Sequence, residues 1–437
     1  MIIDIRGYFD FLEERGFLDR YKDEITLEAI PKHLKLQEKK GNAIIYENIK
    51  DYEYPLFSNV FGKRDFLAAY FGCSIEEVVD VFKDRMEQRI SPVYVDDAPV
   101  QEVVLKKGEF DIRDFPFLTH SQRDVGRYIT AGVIIAKDPE TGIRNLSFNR
   151  LQLKGADKTG LRMSPTQDLE TYYRKAVRLN QPLEVAVVIG SHPMCLLSAA
   201  CGPPRDVDEL DIAGALRQKP IEIVKCKSID VEVPAFAEVV LEGKLFPSEL
   251  EEEGPFGDFQ GYYIEEMKNH VFHIECVTMR KNPMIQVIAA GSTDDVTLLG
   301  SSREAQIKKQ LESMNIEVTG INIMLCGNYL TCVIAIRKQI DYIAKNALMA
   351  AFGSFSFLKT CIIVDHDVDV FDLSDIFWAL STRLNADTGL LVVPHTAGFG
   401  RDKHGIHTTK LGIDATVPLD AWDDFERVTV FDPDTKY

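Results

Sequence analysis

YITAGVIIAKDPETGIRNLSFNRLQLK, residues 128–154, is the stretch on which the fold turns. Ile129–Ala136 is a β-branched run, Asp138-Pro139-Glu140-Thr141-Gly142 has the composition of a turn, and Asn145–Lys154 reads as a returning strand. Two apolar runs around such a turn predict a hairpin. Working downstream, strand patterns recur at Glu184–Ile189, Ile221–Lys225, Val231–Val233, Ala237–Leu241, Val271–Thr278 and Met284–Ala289. Many short strands with one or two inserted helices predict a β-barrel, placed at residues 100–292. Upstream, residues 1–99 alternate helical segments (Tyr8–Arg15, Lys63–Tyr70) with a strand at Ala43–Tyr46, and the Pro- and Asp-rich Ile90–Pro99 marks a boundary. Residues 293–437 read as α/β: helices at Ala305–Met314, Ile340–Phe352 and Asp372–Leu384, and strands at Gly320–Cys326, Thr331–Ile336 and Cys361–Val364. The tail from Pro394 reads as loops plus a late helix. The expected fold class is therefore α/β plus β, a central barrel flanked by two α/β domains.

Composition narrows the function classes. In 437 residues, 45% hydrophobic, there is ample material for a core without disulfides or metals. The net charge is 50 − 68 = −18. That disfavours nucleic acid, whose binding rests on Lys and Arg at phosphates, and a general attraction to anionic membrane. No apolar run reaches the length of a membrane-spanning helix, and MIIDIRGYFDFLEERG lacks a signal-peptide core, so a cytoplasmic protein is expected. The eight cysteines form no CxxC and read as buried free thiols. There is no GxxxxGK(S/T) and no GxSxG. GFGRDKHG at 398–405 opens no helix, and the pairs His270/His273 and His404/His407 lack the setting of a zinc site.

Four segments carry possible chemistry, each with a plain structural reading beside it. EEEGPFGD, residues 251–258, sets Glu253 and Asp258 across a Gly- and Pro-built turn with Phe256 inside it. It is either an acidic surface loop or a site where one carboxyl becomes a proton donor. Arg150, in RNLSFNRLQLK, is either an edge residue or a buried cation that needs a carboxylate. Asn145 and Arg150 differ by five, so strict alternation puts them on opposite faces, and a shared site requires a bulge or strong twist. In MSPTQDLETYYRKA, residues 163–176, Ser164, Pro165 and Gln167 compose a capping box. Asp168 complements the helix dipole or supplies an oxygen ligand. Glu209, in CGPPRDVDELDIAGAL, opens a helix as a first-turn charge.

Taken together the segments resemble the UbiD family of reversible decarboxylases that use prenylated FMN. The resemblance runs from DIRGYFDFLEERGFLDR through YITAGVIIAKDPETG, RNLSFNRLQLKG, PLEVAVVIGSHP, VPAFAEVVLEGKL and EGPFGDFQGYY to TTKLGIDAT at 408–416. Its specific elements are NxSxxR and EGPFGD. It implies a flavin-reductase-like split barrel at 100–292 and a C-terminal oligomerisation domain. By it, Arg150, Glu253 and Asp258 are catalytic, Arg150 and Glu253 orienting the carboxylate and Asp258 protonating the carbon. Asn145, Ser147, Arg150, Gln167, Glu209 and Lys410 would contact the cofactor. Asn145, Asp168 and Glu209 would hold a divalent metal, Mn²⁺ or Mg²⁺, with K⁺ as an accompanying ion. The family's metal-ligand histidine is absent here. Spacing offers Asp168, with Gln167 as the neighbouring choice. Leu161, Met163, Thr293–Leu299 and Pro394–Phe399 resemble pocket-lining segments.

The resemblance implies non-oxidative (de)carboxylation of an aromatic, heteroaromatic or α,β-unsaturated acid. Carbon–carboxylate cleavage leaves charge that side chains cannot delocalise, so a cofactor must take it up. Expected partners are a small carboxylic acid, a flavin prenyltransferase that supplies the cofactor, and further copies of the chain as a homodimer or homohexamer. Two alternatives stand beside this: a non-catalytic subunit of a multi-subunit carboxylase, against which the joint presence of Arg150, Glu253 and Asp258 argues, and a split-barrel reductase using plain FMN.

Overall fold

A computed structural model describes residues 2–265, 267–405 and 407–428. Met1, Glu266, Ile406 and 429–437, the last closing the third expected domain, lie outside the described residues. The chain divides into two compact units, Met1–Ser302 and Arg303–Tyr437.

The first unit is organised by one curled sheet. Its strands run in the order Tyr128–Ile129, Leu151–Leu153, Lys158–Leu161, Met267–Met279, Val239–Glu253, Leu183–Ile189, Val133–Lys137 and Arg144–Phe148, with Val103–Lys106 added on Met267–Met279. The predicted hairpin is present, Val133–Lys137 pairing with Arg144–Phe148. The expected second strand, Asn145–Lys154, is two strands broken at Asn149–Arg150, and the halves lie near opposite ends of the sheet. In a flat sheet those places are about 29 Å apart, six spacings of roughly 4.8 Å. Three chain steps, from Phe148 to Leu151, span at most ~11 Å. The sheet therefore has to curl until its ends approach, and Asn149–Arg150 bridges the seam. The break also removes the parity objection, because Asn145 and Arg150 belong to different strands.

The concave side is filled by Ile134, Ala136, Leu151, Leu161, Val187, Leu241, Phe272 and Ile274, all buried. The helix Asp168–Arg178 joins the same core through Leu169, Tyr172, Tyr173 and Ala176, the 3–4 spacing of a single helical stripe. Three expected barrel strands lie elsewhere. The Met284–Ala289 run supplies only Ile285–Gln286, which extends the N-terminal sheet beside Leu56–Ser58. Glu222–Lys225 and Glu232–Pro234 form a small separate sheet with Val93–Tyr94. A short apolar run looks alike in either sheet, since its ladder partner is distant in sequence. His270 and His273 pair with different glutamates, Glu170 and Glu249, as opposite faces of one strand require.

The second unit has a five-stranded sheet in the order Glu317–Ile323, Thr331–Arg337, Thr360–Asp365, His407–Ala415, Leu390–Ala397. Here the tail departs from expectation, contributing two strands and the short 3₁₀ helix Leu419–Phe425. The inward positions of His407–Ala415 include Thr408, Lys410 and Gly412, so the strand lacks an apolar alternation. The long helix Thr293–Ser313 begins twelve residues before the predicted Ala305, since Ser292 and two aspartates precede its first apolar turn. Six of the cysteines are buried. Cys73 is half-buried and Cys326 is exposed, and all eight are free.

Candidate active site

Arg150 leaves the seam toward the end of the strand Val239–Glu253. Its Nε and Nη2 donate to the two carboxylate oxygens of Glu253 at 2.9 and 3.1 Å, a bidentate pair. Glu253 is 1% exposed, so its charge could not be kept without such a partner. Asn269 adds a third donor, Nδ2 to Oε2 at 2.7 Å. Asn269 faces Glu251 across the ladder, which makes Glu253 its diagonal neighbour. The guanidinium also lies over the Phe256 ring, 4.5 Å from its centre, and Tyr128 packs on the same ring at 4.6 Å. Burial, and then the Glu253 charge, push the Tyr128 hydroxyl pKa up, so the phenol keeps its proton.

Immediately after Glu253 the chain turns. Gly254 has φ +101°, a conformation that a side chain would strain. Phe256–Gly257 then pairs with Tyr263–Ile264 as a two-residue ribbon, closed by Asp258 N to Tyr262 O at 3.0 Å and Gly261 N to Asp258 O at 2.9 Å. Asp258 is buried at the head of this ribbon. The acid motif is thus a turn with Glu253 and Asp258 buried, and not an exposed surface loop. Close by, Asp295 accepts from Gly291 N at 2.8 Å. Burial and then the Asp258 charge raise its pKa to about 6, with the Gly291 bond opposing them.

The second corner is built on the other side of the seam. Arg144–Phe148 is a sheet edge, and its free Leu146 N–H donates to Glu209 Oε2 at 2.8 Å. Asn145 Nδ2 donates to Glu209 Oε1, also at 2.8 Å. The residues just before each partner are paired too, Arg144 Nε with Asp208 at 2.9 Å, so strand edge and helix start are joined at two successive positions. Glu209 is 2% exposed, and burial raises its pKa to about 8. Asn145 Oδ1 is buried without a hydrogen-bond partner. A buried acceptor of this kind and a desolvated carboxylate both fit a hard cation, which would replace the missing donors.

The remaining expected residues fall as follows. Asp168 is the first residue of its helix and accepts from Arg205 Nε at 2.6 Å; the carboxylates of Asp168 and Glu209 both act on the buried Tyr172 hydroxyl. Among the described residues no three His, Cys, Asp or Glu side chains converge as a ready-made metal cluster. Gln167 is the N-cap residue and not the third helical one: the Ser164–Gln167 turn precedes the helix. Gln167 Oε1 does reach back to Ser164 N at 2.7 Å, and it also accepts from Asn149 Nδ2 at 3.0 Å. Ser147 Oγ donates to Asn149 Oδ1 at 3.1 Å. Lys410 belongs to the second unit, where its Nζ donates to Ser356 O and Leu358 O at 2.7 Å each and burial lowers its pKa to about 8. Asn269, Asn149 and Tyr128 had no distinguishing signal in the sequence. A surface cavity of about 710 Å³ beside Thr26, Glu28, Tyr52 and Arg113 contains none of these groups.

Comparison with known proteins places this chain in a family. Models of the N-terminal, Rift-related and C-terminal domains of 3-octaprenyl-4-hydroxybenzoate carboxy-lyase, UbiD, match residues 9–86, 92–293 and 296–415. Anhydromevalonate phosphate decarboxylase of Methanothermobacter thermautotrophicus is 32% identical over 97% of this chain and 99% of its own. The UbiD-class enzyme HmfF of Pelotomaculum thermopropionicum, solved with FMN, is 35% identical and superposes with a TM-score of 0.94, covering 98% of this chain and 97% of that one. Its evolved dimeric form, solved with prFMN, is 34% identical with a TM-score of 0.89 over the same shares. A curled half-barrel carrying an Arg–Glu pair and an acid turn, with family models matched along nearly its whole length, makes this chain a member of the UbiD family, a carboxy-lyase of the UbiD-type decarboxylase class.

Proposed function

We propose that the chain catalyses the non-oxidative, reversible decarboxylation of an aromatic, heteroaromatic or α,β-unsaturated carboxylic acid, using prenylated FMN bound through a divalent cation. The observation that carries the reading is the Arg150–Glu253 bidentate pair with Asp258 on the turn that follows it. Prenylated FMN, as in the HmfF complex, supplies when bound the electron sink for the pair left by the breaking carbon–carboxylate bond. Arg150 bonds Glu253 through Nε and Nη2, which leaves the Nη1 edge of its fork for the substrate carboxylate. Glu253 and Asn269 hold that fork in place, and Phe256 and Tyr128 wall it from water. As CO₂ departs, the carbon gains the proton of Asp258; the resulting carboxylate is reloaded from solvent, and carboxylation is the reverse.

Asn145, Glu209 and Asp168 would hold Mn²⁺ or Mg²⁺, with K⁺ as an accompanying ion. The cation would neutralise a flavin phosphate beside a corner that otherwise offers carboxylates. Ser147, Gln167 and Lys410 belong to this proposal as further cofactor contacts. So does the division into domains 1–99, 100–292 and 293–437. Exposed Leu373, Phe377, Leu390 and Val392 on the second unit support a homo-oligomer, dimer or hexamer. No helix among the described residues is long and apolar enough to cross a membrane, which accords with a cytoplasmic enzyme.

The test is expression with and without a flavin prenyltransferase. Mass spectrometry then reads the released cofactor, and CO₂ release is measured over a panel of unsaturated, aromatic and heteroaromatic acids that includes anhydromevalonate phosphate. We expect CO₂ only from protein made with the prenyltransferase. Modified flavin without CO₂ from any acid favours the non-catalytic subunit, and plain FMN reversibly reduced by a nicotinamide favours the reductase.

A further inference from the structure

The acid turn is poorly equipped to hold its own shape. It contains Gly254 and Gly257, and among the described residues its ladder is the two-residue ribbon Phe256–Gly257 on Tyr263–Ile264. A ribbon that short has little stability alone, and glycines widen the conformations open to it. What holds it comes from another part of the chain, the segment His120–Val125. Asp124 Oδ2 accepts from His120 N at 3.1 Å and Ser121 N at 2.8 Å, and Asp124 N returns a bond to Ser121 O at 3.0 Å, so the segment is closed on itself. Asp124 Oδ1 then accepts from Gly257 N at 2.8 Å, one residue before Asp258. On either side, Val125 N donates to Pro255 O at 3.2 Å, and Arg123 N to the Tyr263 hydroxyl at 3.2 Å. The approach is tight: a Cβ on Gly257 would stand 2.5 Å from Ser121 Oγ. The turn is thus gripped at Pro255, Gly257 and Tyr263, with the Asp124 carboxylate at the centre.

We propose that Asp124 is a positioning residue for the acid turn: by fixing the Gly257 amide it sets the direction in which the next residue, Asp258, presents its carboxyl to the reacting carbon. This rests on the reading of Asp258 as proton donor. The Asp124 charge suits the task, since a carboxylate with three backbone donors is a stronger and more directional tie than a neutral acceptor. Burial pushes the Asp124 pKa up, and the Gly257 bond leads the contacts that oppose the rise, with the Arg150 charge the last of them. A displacement of about 1 Å at a proton donor can cost ~10²-fold in rate while leaving substrate affinity in place.

The experiment compares wild type, Asp124→Ala and Asp124→Asn as reconstituted holoenzymes, by steady-state kinetics and by backbone hydrogen exchange of the peptide spanning 254–264. For Asp124→Ala we expect kcat down about 10²-fold with KM within about threefold, exchange in 254–264 about tenfold faster, and an unchanged spectrum of the bound flavin. Asp124→Asn retains one acceptor for Gly257 and should fall between. Asp124→Ala with kcat within about threefold of wild type, or with unaltered exchange in 254–264, overturns the proposal. If Asp124→Ala does not fold, Asp124→Asn decides by the same two criteria. Should wild-type holoenzyme release CO₂ from no acid, the decarboxylase reading fails, and the exchange result alone still decides whether Asp124 holds the turn.

Discussion

The Arg150–Glu253 corner carries its own cation; the Asn145–Glu209 corner, across the seam of the same sheet, does not. In the first, a buried carboxylate receives two guanidinium bonds and an amide bond. In the second, a carboxylate buried to a similar degree receives one amide from Asn145 and one from the backbone, and its pKa rises to about 8. The neighbouring acceptor, Asn145 Oδ1, has no donor. Arg144 is at hand but is bonded to Asp208 and Glu232, and Arg205 is bonded to Asp168. One corner is therefore electrostatically complete before any ligand arrives, and suits chemistry that needs fixed geometry. The other is left short of positive charge, which suits a cation brought in from outside.

The complete corner should fail abruptly. Asp258→Asn keeps the shape of the turn but has no proton to give, and turnover should fall about 10³-fold with flavin occupancy retained; undiminished turnover removes the general-acid role. Arg150→Ala should lower kcat/KM on the order of 10²-fold through loss of the carboxylate contact. It also leaves Glu253 buried without its bidentate cation, the Asn269 amide staying in place, so chemical denaturation should show a stability loss of about 3–5 kcal/mol. Unchanged kinetics in that variant would abolish the clamp and, with it, half of the contrast.

The two corners were unequally legible in the sequence. The turn chemistry of EGPFGD and the arginine in an apolar strand mark the complete corner, because a buried charge in such a setting needs a partner. The seam was harder. Residues 145–154 read as one strand, and only a break at Asn149–Arg150 reconciles the odd spacing of Asn145 and Arg150 with a shared site. That break is decided by closure of the sheet, a long-range constraint with no local signature. Asn269 is one polar residue in a strand whose register is set elsewhere, and Asp124 sits in SQRDVG, which has the composition of any surface loop. The strand His407–Ala415 was missed because its inward positions carry Thr and Lys, the latter satisfied by two backbone carbonyls that the sequence does not announce.

The incomplete corner should fail gradually, and in metal affinity before rate. Glu209→Gln keeps the shape and the hydrogen-bonding capacity toward Leu146 but loses the charge, so Mn²⁺ affinity of flavin-free protein, read by electron paramagnetic resonance, should drop on the order of 10–100-fold. Asp168→Ala should cost less, roughly tenfold or below in metal and flavin occupancy, because Asp168 already has the exposed Arg205 as a counter-ion. No change in Asp168→Ala would pass that ligand role to Gln167. A Glu209→Gln enzyme that, at saturating Mn²⁺, loses as much turnover as Arg150→Ala would erase the distinction between the corners.

The smallest effect concerns the strap on the complete corner. His120 Nε2 lies 3.3 Å from Thr130 Oγ1, which also accepts from Ile288 N at 3.1 Å. Burial lowers the imidazole pKa from 6.5 to about 4, which favours the neutral ring. A histidine whose folded pKa is depressed stabilises the fold fully above its unfolded pKa and loses that contribution as pH falls through the interval down to the folded value. Wild type should therefore lose thermal stability between about pH 6.5 and 4 more steeply than His120→Gln, which cannot take up the proton. The difference should be a few degrees in Tm, appearing only in that interval. Many carboxylates also titrate there, and subtracting the variant's profile removes their common part. A difference that is flat across the interval would mean that the ring can be charged in place, and that the strap gripping the acid turn is looser than the corner it serves.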